Sequence, residues 1–319
     1  MNARWIRCAL LTSAALVVTS SATVTAADAA SAGEAVVAPS TTRYGAAGDG
    51  RLWLPAGDGS VAVLDAANLA TIATLSIVEP GQIPAPEAVV VGPEGIWVAV
   101  PSRRAVQLLD PASGETLRHI DTDSQVYAMA LDGDDLWAVD FATGRVQRID
   151  RATGEAYVAS ARVPSATSVV AGEGSVWVTS NSGSVSRIDP ASLDIGVAVP
   201  VDGRPHNATF GFGSVWTANG RGQSVSRVDP ATETVAATIE LPSIAYDIEA
   251  AGDSIWVTTG PTDGCEEGSF VVRIDPATDT VVESIPFTCA WALVSDGQQL
   301  WVQGTNEGVN VMTRIDPST

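Results

Sequence analysis

Short apolar runs recur along the chain at a nearly constant interval, and each carries a tryptophan behind an aliphatic residue. The marker residues are Trp53, Trp97, Trp137, Trp177, Trp216, Trp256 and Trp301, spaced by 44, 40, 40, 39, 40 and 45 residues. Behind each marker a second apolar run closes on an aspartate: Asp65, Asp110, Asp150, Asp189, Asp229, Asp275 and Asp316. Runs of about five residues rich in Val, Ile, Thr and Trp, bounded by Gly, Asp and Pro, are strand signals. In the second unit "EAVVV" from Glu87 predicts an inner strand, "IWVAV" from Ile96 and "AVQLL" from Ala105 the two middle strands, and "TLRHI" from Thr116 the outer one. Glycine turns such as "GPEG", "GEG" and "GFG" precede the second strand, and "DPAS" or "DPAT" precedes the fourth. In Asp-Pro the carboxylate accepts a turn N–H while the proline ring presets φ, so these aspartates are expected to be structural. The tryptophans, at one equivalent place in every unit, are expected to fill the gaps between twisted neighbouring sheets.

Seven copies of a four-stranded unit with a period near forty predict an all-β chain, folded as a seven-bladed β-propeller of four-stranded antiparallel blades. The last unit stops at "RIDPST" without a fourth strand, while "SAGEAVVAPS" near the N-terminus resembles "ATGEAYVAS", the outer-strand segment of the third unit. Residues Glu34 to Ala38 are therefore expected to complete the last blade and close the ring, which removes an open sheet edge.

The unit "GxxxWV…VxRIDPAT…VxxTI" resembles the YVTN/NHL-type repeats of YncE-like bacterial propellers, over essentially all of residues 34 to 319, and is more distantly similar to the virginiamycin B lyase repeat. The resemblance implies the propeller architecture; activity varies freely among proteins built on it. Likeness to the lyases would imply an inner-strand histidine working with magnesium held by further His and Glu groups. Only His206 matches that pattern.

The first residues change the compartment. Arg4 and Arg7 precede an apolar run from Cys8 to Val18, followed by small residues, which reads as a secretory signal over 1–29 with cleavage after Ala26 or Ala29. Residues 30–319 are then one secreted, extracytoplasmic propeller domain. A formal charge of -20 disfavours nucleic acid and anionic membranes as partners. No later run spans a bilayer, and no heptad signals association, so a monomer is expected. All 17 basic residues are arginines, which excludes a phosphate-loop lysine, a Schiff-base lysine and a Ser-Lys dyad. Of the cysteines, Cys265 and Cys289 remain after cleavage and, in an oxidising compartment, are expected to form a disulfide. Cys265 lies in an insertion, "GPTDGCEEGS", that stretches the Trp-to-Asp interval of the sixth unit to 19 residues from 12 or 13 in the five units before it.

Candidate chemistry collects where the repeat stops repeating. Ten residues before each marker tryptophan, at the entrance of the inner strand, stand Arg43, Glu87, Tyr127, Thr167, His206, Tyr246 and Trp291, and no two neighbouring units agree. Loops on a fixed scaffold are where binding residues gather. Three aromatics with a histidine, a base and an acid suit stacking on a flat or sugar-like ligand whose orientation polar groups fix. Asp140, Ser180, Asn219 and Thr259, three residues after their tryptophans, add hydrogen-bonding groups. The partner expected at this upper face is a small molecule, a glycan or a protein. Asp247 and Glu249 occupy alternate positions of the sixth inner strand, where two carboxylates could hold Ca²⁺ or Mg²⁺; no other cofactor is expected. The alternative reading is a metal-assisted enzyme of lyase or lactonase type with His206 as base. Zinc motifs and a Gly-x-Ser-x-Gly elbow are absent from the sequence.

Overall fold

The second strand of each unit has no side turned to solvent. In "GIWVAV", Gly95–Val100, every residue is buried, because a blade's middle strand meets a neighbouring blade on both faces. Outer strands such as Thr71–Ser76 instead alternate exposed and half-buried positions, since only one face is covered. The computed structural model describes residues 36–37, 44–77, 86–159, 161–261, 268–306 and 309–317.

Within these residues the strands form seven four-stranded antiparallel sheets, six of them in simple sequence order. Blade 1 begins at Ala46–Gly48, blade 2 at Ala88–Gly92, blade 3 at Ala128–Asp132, blade 4 at Ala166–Gly172, blade 5 at Pro205–Gly211, blade 6 at Ile244–Ala251 and blade 7 at Ala290–Ser295. Each inner strand touches the next, and the first touches the last, so the architecture is a seven-bladed β-propeller. The seventh blade ends in the N-terminal strand, Val36–Val37, paired antiparallel to Val309–Ile315 with Val36 opposite Met312 and Val37 opposite Val311. The signal segment expected at 1–29 lies outside the described residues.

The marker tryptophans are all 0–1% exposed. Each belongs to a cluster joining its own blade to the next: Trp53 with Val89 and Ile96, Trp97 with Met129 and Leu136, Trp137 with Val169 and Val176, Trp177 with Val215. The circle continues with Trp216 beside Ile248 and Ile255, Trp256 beside Leu293 and Leu300, and Trp301 beside Leu52 and Leu54. An indole buries about 150–250 Å², worth at most about 4–6 kcal/mol at 25 cal/mol per Å². Four indoles donate hydrogen bonds, for example Trp216 to the Gly211 carbonyl at 2.9 Å, while those of Trp53, Trp137 and Trp177 find no acceptor among the described residues. Packing, then, is their common role.

The aspartates serve as turn caps. Oδ1 of Asp110 accepts from the N–H groups of Ala112 and Ser113 at 2.8 and 2.7 Å, and the same geometry recurs at Asp65, Asp189 and Asp229. Backbone N–H donors hold the Asp110, Asp189 and Asp275 carboxyls below the ordinary aspartate range. The arginine two residues before the aspartate has a separate task. Arg148 of blade 3 donates to the Pro190 carbonyl of blade 4, and Arg227 of blade 5 to the Pro276 carbonyl of blade 6 at 3.2 Å. Arg187 of blade 4 pairs with Glu233 of blade 5 at 3.3 Å, and in blade 1, where Val63 holds this position, Arg51 of the second strand reaches the Pro111 carbonyl of blade 2 at 2.8 Å. In blades 3, 4 and 5 the arginine of the third strand thus fastens the following blade, and Arg273 of blade 6 pairs with Asp253 of its own inner hairpin at 2.9 Å.

Candidate functional site

The upper face of the ring carries the inner-strand entrances and the loops between second and third strands; the lower face carries the inner hairpin turns and the Asp-Pro turns. At the upper entrance the inner strands do not run straight. The pairing skips one residue between Ala166 and Ser168, Pro205 and Asn207, Ala245 and Asp247, and Ala290 and Ala292. The skipped residues are Thr167, His206, Tyr246 and Trp291, each the extra residue of a β-bulge. In blades 2 and 3 the N–H groups of Glu87 and Tyr127 reach the carbonyls of Ala99 and Val139, whose own partners are Ala88 and Ala128, so two residues again face one. A bulged residue leaves the ladder and turns its side chain away from the regular alternation. This is why the position escapes the repeat: its side chain is not part of the apolar packing between blades. All six residues are half-buried. Arg43 lies outside the described residues.

Their environments differ. The Tyr127 hydroxyl donates to Gln125 Oε1 at 3.1 Å, and burial, aided by the negative charges of Glu87 and Asp140, raises its phenol above the ordinary range. Thr167 Oγ1 lies 2.8 Å from Thr179 Oγ1 and 3.0 Å from the Pro205 carbonyl, which ties blade 4 to blade 5. The His206 ring lies over Gly220, where a Cβ would stand 2.4 Å from Cδ2, and the Tyr246 ring over Gly260, where a Cβ would stand 3.0 Å from Cε2. Both rings therefore lean over the end of their own blade's second strand, and glycine is the residue that leaves them room. The Tyr246 hydroxyl donates to the Pro261 carbonyl at 2.6 Å.

Two aromatics escaped the sequence reading. Tyr44, one position past the bulge site, extends from blade 1 across the axis and donates its hydroxyl to the Thr167 carbonyl of blade 4 at 3.3 Å. The signal was an aromatic where the other blades carry Ala88, Ala128, Ser168, Asn207, Asp247 and Ala292. Phe141, in the upper loop of blade 3, is 49% exposed.

Other candidates are bound into the scaffold. Asp140 is 2% exposed, and its Oδ1 accepts from the N–H groups of Ala142 and Thr143 at 2.6 and 3.0 Å, so it caps a turn as the Asp-Pro residues do. Asn219 is fully buried; it donates to Ser226 Oγ at 2.8 Å and accepts from Thr217 Oγ1 at 2.9 Å. Ser180 donates to the Pro164 carbonyl at 2.6 Å and Thr259 to that of Phe270 at 3.3 Å. His119, on an outer strand, faces Asp121 at 3.2 Å. Cys289 is buried and disulfide-bonded, while Cys265 lies outside the described residues.

Asp247 and Glu249 share a strand but not a role. Both oxygens of Asp247 are occupied: Oδ1 accepts from the Asn207 side chain of blade 5 and from the Ile248 N–H at 2.9 Å, and Oδ2 from the Leu293 N–H of blade 7 at 2.8 Å. Its carboxylate thus fastens three blades. Among the described residues no group of three His, Cys, Asp or Glu side chains is arranged to hold a metal. Glu249 lines a cavity of about 380 Å³ along the axis, with Tyr44 at its upper end and Leu131 and Phe210 near its lower end. Its described side-chain partner is Thr209 Oγ1, 3.5 Å from Oε2. Burial, reinforced by neighbouring Asp247, raises its carboxyl well above the ordinary value of 4.5.

That shift has a sign for stability. The folded chain holds the Glu249 proton to higher pH than the unfolded chain, so the carboxyl's contribution is most favourable below the ordinary glutamate value and is lost as pH rises through the folded one. Glu249→Gln, neutral at every pH, is expected to melt a few degrees above the parent at pH 7.5 and level with it near pH 4. Paired thermal melts check this; a variant that melts lower at pH 7.5 contradicts it.

No family model matches the chain, and no curated protein matches it.

Proposed function

We propose that the protein is a secreted binding module of the YVTN/NHL propeller type that takes a small ligand or glycan, or a protein partner displaying such chemistry, on its upper rim. One observation carries this reading: at the bulged entrance positions a scaffold that repeats everywhere else presents Glu87, Tyr127, Thr167, His206, Tyr246 and Trp291, side chains that differ from blade to blade around one opening. Half-buried aromatics with a polar tip supply contact area at small entropic cost, and the acid and imidazole supply direction. Phe141 and Tyr44 extend the aromatic surface toward blades 3 and 1. The leader-like N-terminus supports the extracytoplasmic assignment, and a Cys265–Cys289 bridge would pin the inserted loop of blade 6 beside Trp291, adding about 2–4 kcal/mol.

Trp291 is half-buried while the seven marker indoles are enclosed, so its emission reports on the rim. A panel of soluble oligosaccharides and aromatic small molecules is expected to contain members that perturb this emission saturably. Their affinity is expected to fall about tenfold when Tyr127 and Tyr246 are both replaced by alanine. Ligands that bind the double variant as tightly as the parent, without touching the Trp291 signal, would place the site elsewhere.

A further inference from the structure

The axial cavity contains a carboxyl for which the rim has no use. The inner-strand residues opposite the marker tryptophans lie at one level of the ring: Ala46, Val90, Ala130, Val170 and Val294 are apolar, Thr209 brings a hydroxyl and Glu249 a carboxyl. The wall of the cavity is therefore aliphatic on blades 1 to 3 and polar where blades 5 and 6 meet. We propose that this cavity binds a small organic cation, a primary alkylammonium, whose N–H groups meet Glu249 and Thr209 while its alkyl body lies along Ala46, Val90 and Ala130.

Three observations select that class. A volume of about 380 Å³ falls within the range of small-molecule sites. A hard divalent cation would require six or more oxygen ligands, whereas this wall offers a single carboxyl, Glu249, with the Asn207 amide and the hydroxyls of Tyr44, Ser168, Thr209 and Ser295, of which those of Tyr44 and Ser295 already donate to backbone carbonyls; both Asp247 oxygens are bound to N–H groups. An alkylammonium needs only one counter-charge, one further acceptor and an apolar flank. Finally, the hairpin turns around the lower end of the axis expose Asp49, Asp134, Glu173, Asp253 and Asp296, in a chain of formal charge -20, so the field there favours cations over anions. The unfavourable burial that raises the Glu249 carboxyl is the cost that a bound ammonium offsets.

Isothermal titration of the mature protein with n-butylammonium chloride tests the assignment, with n-butanol and sodium butyrate as uncharged and anionic counterparts. Saturable binding of the ammonium alone is expected. Glu249→Gln should weaken it about tenfold or more, Ala130→Leu should weaken it by filling the apolar flank, and His119→Ala on the outer strand of blade 2 should leave it unchanged. Absence of saturable heat with the ammonium, equal binding by Glu249→Gln and Ala130→Leu, or equal binding of butanol would each overturn the proposal. So would binding of MgCl₂ or CaCl₂ that excludes butylammonium and disappears in Glu249→Gln.

Discussion

Asp247→Ala is expected to lower stability by several kcal/mol, although it removes only a small polar side chain. The substitution strips the acceptor from the Asn207 amide of blade 5 and from the Leu293 N–H of blade 7, both buried where water cannot replace it. Each donor left unsatisfied costs about 1–3 kcal/mol, so the pair costs about 2–6 kcal/mol. At roughly 2–4 °C per kcal/mol for a domain of this size, the melting temperature should fall by about 4 °C at the least. The Asn207→Ala, Asp247→Ala double variant should lose much less than the sum of the single losses, because the two residues share one bond. Chelator added to the parent protein should leave its melting temperature unchanged if the carboxylate serves N–H donors and not a cation. A melting temperature for Asp247→Ala within about 1 °C of the parent would show that the three-blade fastening carries little weight.

Removal of the chain up to residue 40 should be equally damaging, for a different reason. It takes away Val36–Val37, the outer strand of blade 7, and exposes the ladder of Val309–Ile315 along an unpaired edge. Val36 also packs against the cluster that joins blade 7 to blade 1 through Trp301, Met312, Leu52 and Leu54. The truncated protein is expected to melt far below the parent and to elute from a sizing column partly as aggregates, since open edges recruit one another. A shorter truncation that stops before residue 34 should melt as the parent does. An unchanged melting temperature in the longer truncation would mean that the blades hold the circle without this strand.

The scaffold was largely legible because its signals are local and repeated. Tryptophan behind an aliphatic residue, Asp-Pro before an outer strand and glycine in the inner hairpin each have a short-range cause. The expected strands of blade 2 agree with the observed ones within one residue: Gly95–Val100 for the run from Ile96, Ala105–Leu109 for the run from Ala105 and Thr116–Asp121 for the run from Thr116. What stayed hidden depends on contact between units. Nothing local says that Arg148 reaches Pro190, or that Asp247 answers to Asn207 and Leu293. Asp140 was half legible, because "DFATG" copies the turn chemistry of "DPASG" and thereby announces a cap. Tyr44 was invisible as a bridge because sequence spacing gives the height of a residue on the ring and not its reach across the opening.

The arginine clasps of blades 1, 3, 4 and 5 each grip the following blade, and one ion pair, Arg151 of blade 3 with Glu94 of blade 2, runs the other way. Blade 4 therefore carries both halves of its fastening, the guanidinium of Arg187 that it extends and the Pro190 turn that it offers, and a gene segment encoding such a unit is a self-contained joint. Duplicating such a segment would repeat the same joint, whereas losing blade 5, 6 or 7 would break the Asp247 fastening. The number of units in a ring built this way is limited by the width left at the centre, so the axis sets the size of the molecule, while the fastenings set only its order.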